Sequence, residues 1–144
     1  MIKAILMDFN GVIIDDEPIQ MRAYQSVLKD RGVDLTEEDY YNSLGMDDKT
    51  FVRAAFERVA KSVSEDECAE IVSAKTDAWR REVSSKLPLF DGVEDFIEKM
   101  ARVYTLGIVS MANLREIEHV LERANLKRYF STIVSSADVS KCKP

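Results

Sequence analysis

The sequence predicts a parallel α/β protein with a helical block inserted after its first strand. Three observations carry that prediction. Apolar runs of strand length occur at Ile2 to Met7, Tyr104 to Val109 and Thr132 to Val134, each followed by polar residues. The stretch from Glu17 to about Ser85 reads as helix throughout. From Phe96 onward the order is helix, strand, helix, strand, which is the alternation of a parallel sheet.

Taken in order, the first run has five apolar residues in six, a pattern expected of a strand buried on both faces. It delivers Asp8 to the strand's carboxyl end, where open α/β sheets bind ligands. Phe9 then points away, Asn10 points back, and Gly11 permits a sharp turn. A carboxylate so placed can ligate a hard cation or attack phosphorus, or it can be a solvated strand end beside an Asn-Gly turn. Asp16 can cap a helix with Pro18 in its first turn, and Gly32 stops it. Thr36 starts a short helix through Tyr41, and Leu44, Gly45 and Met46 form a loop. Asp47 or Asp48 opens the next helix, with Phe51, Val52, Ala55, Phe56 and Val59 on one side. Ser64 and Glu67 fit a capping box for a helix carrying Cys68, Ile71, Val72, Lys75, Ala78 and Trp79. Leu87 to Gly92 is a linker back to the sheet. Phe96, Ile97 and Met100 mark a helix, and Asn113 caps another that bears Leu114, Ile117, Val120 and Leu121. His119 falls on a polar helix face and is expected in solvent.

At 144 residues, 46% apolar and 32% charged, the chain suits a globular domain with one ordinary core or two small parts. Its net charge of −6 sits poorly with nucleic acid as main partner, although a metal and one lysine can neutralise a small phosphorylated ligand. A single histidine, His119, disfavours Ser-His-Asp and His-rich zinc sites. Cys68 and Cys142 lack metal-type spacing and read as free thiols. No apolar run approaches a membrane span, and the start lacks a signal-peptide pattern, so a cytoplasmic protein is expected.

Three polar residues sit at or beyond the ends of the core strands: Asp8, Ser110 and Lys143. Together with the inserted helical block they make the sequence resemble the haloacid dehalogenase superfamily. Within it, the resemblance is to the capped, β-phosphoglucomutase-like phosphatase group. That family's first motif, Asp-Phe-Asp-Gly-(Thr/Val)-(Leu/Ile)-x-Asp-(Ser/Thr)-Glu, is similar to Asp8-Phe9-Asn10-Gly11-Val12-Ile13-Ile14-Asp15-Asp16-Glu17. Its strand-closing Ser or Thr resembles Ser110, and its Lys-Pro pair resembles Lys143-Pro144. The resemblance covers essentially the whole chain. It implies a Rossmann-like parallel core at residues 1–16 and 86–144, truncated at its carboxyl end, with an α-helical cap at 17–85.

The resemblance also implies roles. Asp8 would be the nucleophile, forming an aspartyl phosphate on a small phosphorylated metabolite. Mg²⁺ would bind Asp8 and the backbone carbonyl of Asn10. Ser110, with the amides of Met111 and Ala112, would hold the phosphoryl group, and Lys143 would supply charge to it. The cap would close over the substrate, with the loop Gly45 to Lys49 setting specificity. Lys49 is a candidate substrate contact, with a plain surface lysine as the alternative. Phosphatase action is the first reading, phosphomutase the second, and a phospho-ligand binder without turnover the third.

Two departures from the family pattern stand out. Asn10 occupies the position of the general acid and base, and a carboxamide cannot exchange a proton at neutral pH. It marks a slowed natural enzyme, an engineered trap or a silent binder. The chain also ends before the family's fourth, acidic motif. Poor or absent Mg²⁺ binding is therefore expected, as is self-association through an unpaired edge of the first strand or loose order around it.

Overall fold

The computed structural model describes residues 1–143, and Pro144 lies outside them. Contacts divide the chain into a sheet unit, Met1–Asp16 with Lys86–Lys141, and a helical unit, Glu17–Ser85 with Cys142 and Lys143.

The sheet unit contains β1 (Ala4–Met7), β2 (Thr105–Val109) and β3 (Phe130–Val134), parallel and in the order β1-β2-β3. Each strand lies close to the apolar run that predicts it. β3 begins two residues earlier than Thr132, because a 3₁₀ turn at Lys127–Tyr129 hands the chain directly to Phe130. In the element order, α5 (Val93–Ala101) falls between β1 and β2, and α6 (Leu114–Arg123) between β2 and β3. Right-handed crossovers along one direction of strand order put both helices on the same face of the sheet. Leu106 and Ile108 of β2 are fully buried, as are Ile97 of α5 and Ile117, Val120 and Leu121 of α6.

The opposite face corrects the expectation that β1 is buried on both sides. Met7 is buried, but Ala4 is exposed and Leu6 is 66% exposed. Leu6 pairs with Gly107 and Gly107 with Thr132, and a Cβ at position 107 would lie 2.8 Å from Leu6 Cδ2 and 3.0 Å from Thr132 Cγ2. These three residues therefore share the uncovered face. A continuous apolar run specifies a strand, yet it cannot say whether both crossover helices fall on one side.

The helical unit holds α1 (Glu17–Lys29), α2 (Glu37–Tyr41), α3 (Asp48–Arg58) and α4 (Glu65–Ser85). The caps fall where side-chain chemistry puts them. Thr36 accepts from the Asp39 amide, Asp47 from the Lys49 and Thr50 amides, and Ser64 from the Glu67 amide. Tyr24 and Leu28 of α1 join Tyr40, Phe51, Val52, Phe56, Cys68 and Ile71 in one apolar core. Trp79 and Val83 of α4 are also fully buried. Trp79→Ala should cost about 3–5 kcal/mol by loss of burial and the cavity left behind, read as a drop in the urea midpoint. A loss below about 1 kcal/mol would show that the site collapses or that Trp79 is not core.

The two cysteines differ. Burial pushes the Cys68 thiol above its ordinary value, against opposing effects of Arg53 and Lys49. Cys142 is half-buried and donates to Asp47 Oδ2 at 3.0 Å. A thiol raised in this way holds less thiolate at pH 8. An aromatic disulfide reagent should therefore label Cys142 first, and Cys68 only on unfolding. Cys142→Ser should remove the fast phase. Two fast thiols would contradict this.

Among the described residues no helix is long and apolar enough to cross a membrane.

Candidate active site

The turn after β1 is built around Phe9. Its carbonyl accepts from the amides of Val12, Ile13 and Ile14 at 3.3, 2.8 and 3.2 Å, while the Gly11 amide donates to Ile14 O at 2.9 Å. Gly11 has φ +75°, a left-handed conformation that glycine adopts without penalty. Phe9, Ile13 and Ile14 are fully buried and anchor the turn. The linker expected at Leu87 to Gly92 seals it, with Asp15 N donating to Pro88 O and Phe90 N to Ile13 O. Apolar anchors on both sides thus fix the polar residues between them.

Asp8 follows the last residue of β1 and is exposed, with Oδ1 accepting from the Phe9 amide at 2.7 Å. Met7 pairs with Ile108, so Asp8 falls beside Val109, and Ser110 lies one residue farther on. Neighbouring strands run about 4.8 Å apart. The sheet itself therefore brings Asp8 and Ser110 to one end. Ser110 is buried, its amide extends the ladder to Val134 O at 2.9 Å, and its hydroxyl accepts from the Ala112 amide at 3.1 Å. Met111 and Ala112 are half-buried, and Ala112 O accepts from the amide and hydroxyl of Ser136. Asn113 then caps α6 through the Arg115 amide.

Asn10 is half-buried, and its Nδ2 lies 2.9 and 3.2 Å from the two carboxylate oxygens of Asp16. A carboxylate only accepts, so the amide nitrogen must face it. Asp16 is fully buried. The sequence assigns Asp16 to a helix cap and does not reveal this partnership. The run Asp15-Asp16-Glu17 does hint that one of three adjacent acids is held for a purpose other than solubility.

Lys143 is exposed and groups with the helical unit, and its partner Pro144 lies outside the described residues. Gly45 and Lys49 are also exposed members of that unit, with Gly45 at φ +90°. At the end of the same loop, burial pushes the Asp47 carboxyl up, but hydrogen bonds from the Cys142 thiol, the Thr50 hydroxyl and the Thr50 and Lys49 amides outweigh it. The net shift is below the ordinary value. His119, expected in solvent, is half-buried.

Mg²⁺ prefers hard oxygen donors in an octahedron and often takes only one or two from carboxylates, with phosphate oxygens and waters filling the rest. The Asp8 carboxylate and the Asn10 carbonyl are donors of that kind. No group of three or more His, Cys, Asp or Glu that could hold a metal occurs among the described residues. These two donors would supply at most part of a Mg²⁺ coordination shell.

Parallel strands ending in a carboxylate and a buried hydroxyl, with a helical unit entering the chain after the first, define a parallel α/β protein with an inserted helical unit. The chain belongs to the haloacid dehalogenase-like hydrolase family, whose sequence model matches residues 5–144. It is 26% identical over 144 residues to a phosphorylated carbohydrates phosphatase of Thermotoga maritima, covering 99% of this chain and 65% of the relative. To a phosphoglycolate phosphatase of Synechococcus elongatus it is 28% identical over 142 residues, covering 95% of this chain and 62% of the relative. It thus spans somewhat less than two thirds of the length of these two curated relatives. Among solved structures it is similar to an aspartate-to-asparagine variant of CbbY from Rhodobacter sphaeroides in complex with xylulose-(1,5)bisphosphate. That match has a TM-score of 0.82 at 28% identity and covers 100% of this chain and 68% of the other. A β-phosphoglucomutase from Clostridium difficile shares the fold, with a TM-score of 0.86 at 19% identity over 100% of this chain and 66% of the other.

Proposed function

We propose that this chain forms the nucleophile-bearing part of a phosphatase that acts on a small phosphorylated metabolite through an aspartyl phosphate. The observation that carries the reading is the placement of Asp8 and Ser110 at the carboxyl ends of adjacent parallel strands. An Asp8 oxygen attacks phosphorus, the bond from phosphorus to the substrate oxygen breaks, and the departing oxygen takes a proton from water, since Asn10 has none to give. Water then cleaves the acyl phosphate and releases inorganic phosphate. Ser110 and the amides of Met111 and Ala112 hold the phosphoryl oxygens, the Ala112 amide turning from the Ser110 hydroxyl to the ligand, and Lys143 adds a positive charge. Mg²⁺, when bound through Asp8 and the Asn10 carbonyl, neutralises phosphoryl charge. The helical unit, residues 17–85, acts as the cap, and its loop Gly45 to Lys49 contacts the substrate.

Asn10 favours a second reading, a binder of phosphorylated ligands that does not turn over. Its amide is held on Asp16 and donates no exchangeable proton to a leaving group. Release of inorganic phosphate from a panel of sugar phosphates separates the two. Turnover by the parent chain supports the enzyme. Saturable binding without turnover supports the binder, and neither result in the parent or in Asn10→Asp would overturn both.

We further propose that copies of this chain associate through β1. Among the described residues β1 pairs only with β2, and Lys3 O accepts from Thr105 N, so the alternate groups of Ala4 and Leu6 face away from β2. Ile2 beside the strand and Leu6 within it are exposed and apolar, and an edge without Pro, with Lys3 as its single charge, invites pairing. Leu6→Lys should shift sedimentation towards monomer while changing stability by no more than about 0.5 kcal/mol. A parent chain that is already monomeric at high concentration would refute this.

A further inference from the structure

Lysine is almost never fully buried unless paired, yet Lys75 of α4 is 1% exposed. It occupies the apolar stripe of its helix, between Ile71 and Trp79, where an aliphatic residue would serve the core as well. Its Nζ lies 2.8 Å from Asp48 Oδ1 and 3.2 Å from Gln20 Oε1, and sits 4.9 Å from the centroid of the Tyr24 ring. The Tyr24 hydroxyl donates to the same Asp48 oxygen. Residues of α1 and α4 thus converge on one carboxylate, and that carboxylate belongs to the first residue of α3.

Asp48 directly follows the loop from Asn42 to Asp47. At the loop's other end Ser43 is buried, donates to Asp39 O at 2.7 Å and accepts from Arg58. Between these anchors Gly45 has φ +90°, and the apolar side chains of Leu44 and Met46 are 52% and 38% exposed. The loop is therefore fastened by buried polar contacts at both ends and presents an apolar tip.

A buried ion pair seldom adds stability over a well-packed apolar pair, because desolvation offsets the attraction. What it adds is direction: an aliphatic side chain tolerates a sliding neighbour, whereas an ammonium group shared by a carboxylate and an amide oxygen does not. We infer that Lys75 is a positioning residue, and that its pairing with Asp48 holds the loop Asn42 to Asp47 in one conformation. Its value to substrate recognition rests on the phosphatase reading, whereas its effect on the loop does not.

The test compares Lys75→Met, Asp48→Asn and the double variant Lys75→Met with Asp48→Leu by thermal unfolding and by amide exchange, without ligand. Lys75→Met leaves the Asp48 carboxylate with the Tyr24 hydroxyl but without its cation and should lower the unfolding midpoint by roughly 10 °C. The double variant removes both charges and should recover part of that midpoint, since Gln20 and Tyr24 each lose a partner, yet its amides from Leu44 to Thr50 should exchange about tenfold or more faster than in the parent. Asp48→Asn keeps the volume and should also speed exchange there, which leaves the inference testable if the methionine variant fails to fold. A role in bulk stability alone predicts parent-like loop exchange once the midpoint recovers, and that result overturns the inference. So does a double variant no more stable than Lys75→Met, or an Asp48→Asn variant with unchanged loop exchange. None of these readings uses catalysis, so failure here leaves the phosphatase reading standing, and failure of that reading leaves this one standing.

Discussion

Asn10→Asp should raise hydrolysis of a phosphate monoester by about 10²- to 10⁴-fold, the range that a positioned general acid and base supplies. The geometry gives the reason. The Asn10 amide nitrogen lies 2.9 and 3.2 Å from the oxygens of the fully buried Asp16 carboxylate. An aspartate at this position would set two carboxyl groups in contact, and two such groups cannot both ionise. They would share a proton, with one apparent pKa of the pair raised above the ordinary carboxylate value. A proton held in that way is available to a leaving oxygen, and the resulting carboxylate can then activate water. The same contact makes a stability prediction of definite sign. A carboxyl group whose folded pKa is raised weakens the native state above the unfolded value of about 3.9, and the penalty is complete once the pH passes the folded value. The variant should therefore be less stable than the parent at pH 7.5, and the gap should narrow near pH 4. Urea denaturation at the two pH values reads this directly. A gap independent of pH would show that the new side chain turns away from Asp16, and an unchanged rate would show that position 10 is not where the proton is handled.

The contrast between these two residues shows what the sequence reveals and what it conceals. The strands, the helices between them and the caps are legible because each depends on local pattern: apolar runs for β1 and β2, Thr36, Asp47 and Asn113 for the caps. The nucleophile candidate is legible because a strand ending at Asp8 is a local event too. The Asn10 to Asp16 contact is not legible, because two polar residues six apart in a turn can meet or diverge depending on how Ile13 and Ile14 are buried. Lys75 was in plain view as a cation at the fourth position of an apolar stripe, but the stripe alone cannot name Asp48, 27 positions away in the chain, as its partner. The open face at Leu6 was likewise hidden, since periodicity reports which residues are apolar and not how many layers cover them.

Asp8→Asn should abolish phosphoryl transfer in both the parent and the Asn10→Asp background, with turnover falling to the uncatalysed level. The reaction is separable at Asp8 because Asn10 burdens its two steps unequally. Breaking a sugar phosphate needs a proton for the departing alkoxide, which Asn10 cannot give, whereas acetyl phosphate releases acetate, a leaving group stable without protonation. Hydrolysis of the acyl phosphate still needs a base. The parent chain given acetyl phosphate should therefore accumulate a phosphoryl group on the peptide containing Asp8, visible by mass after an acid quench. The adduct should vanish faster in Asn10→Asp and never form in Asp8→Asn. That last variant should fold normally, since the amide oxygen of the new side chain can still accept from the Phe9 amide as Asp8 Oδ1 does at 2.7 Å. Its stability should stay within about 0.5 kcal/mol of the parent, so lost labelling could not be ascribed to unfolding. Phosphate found on any other side chain, or an adduct that survives Asp8→Asn, would place the nucleophile elsewhere and leave Asp8 as no more than the end of a strand.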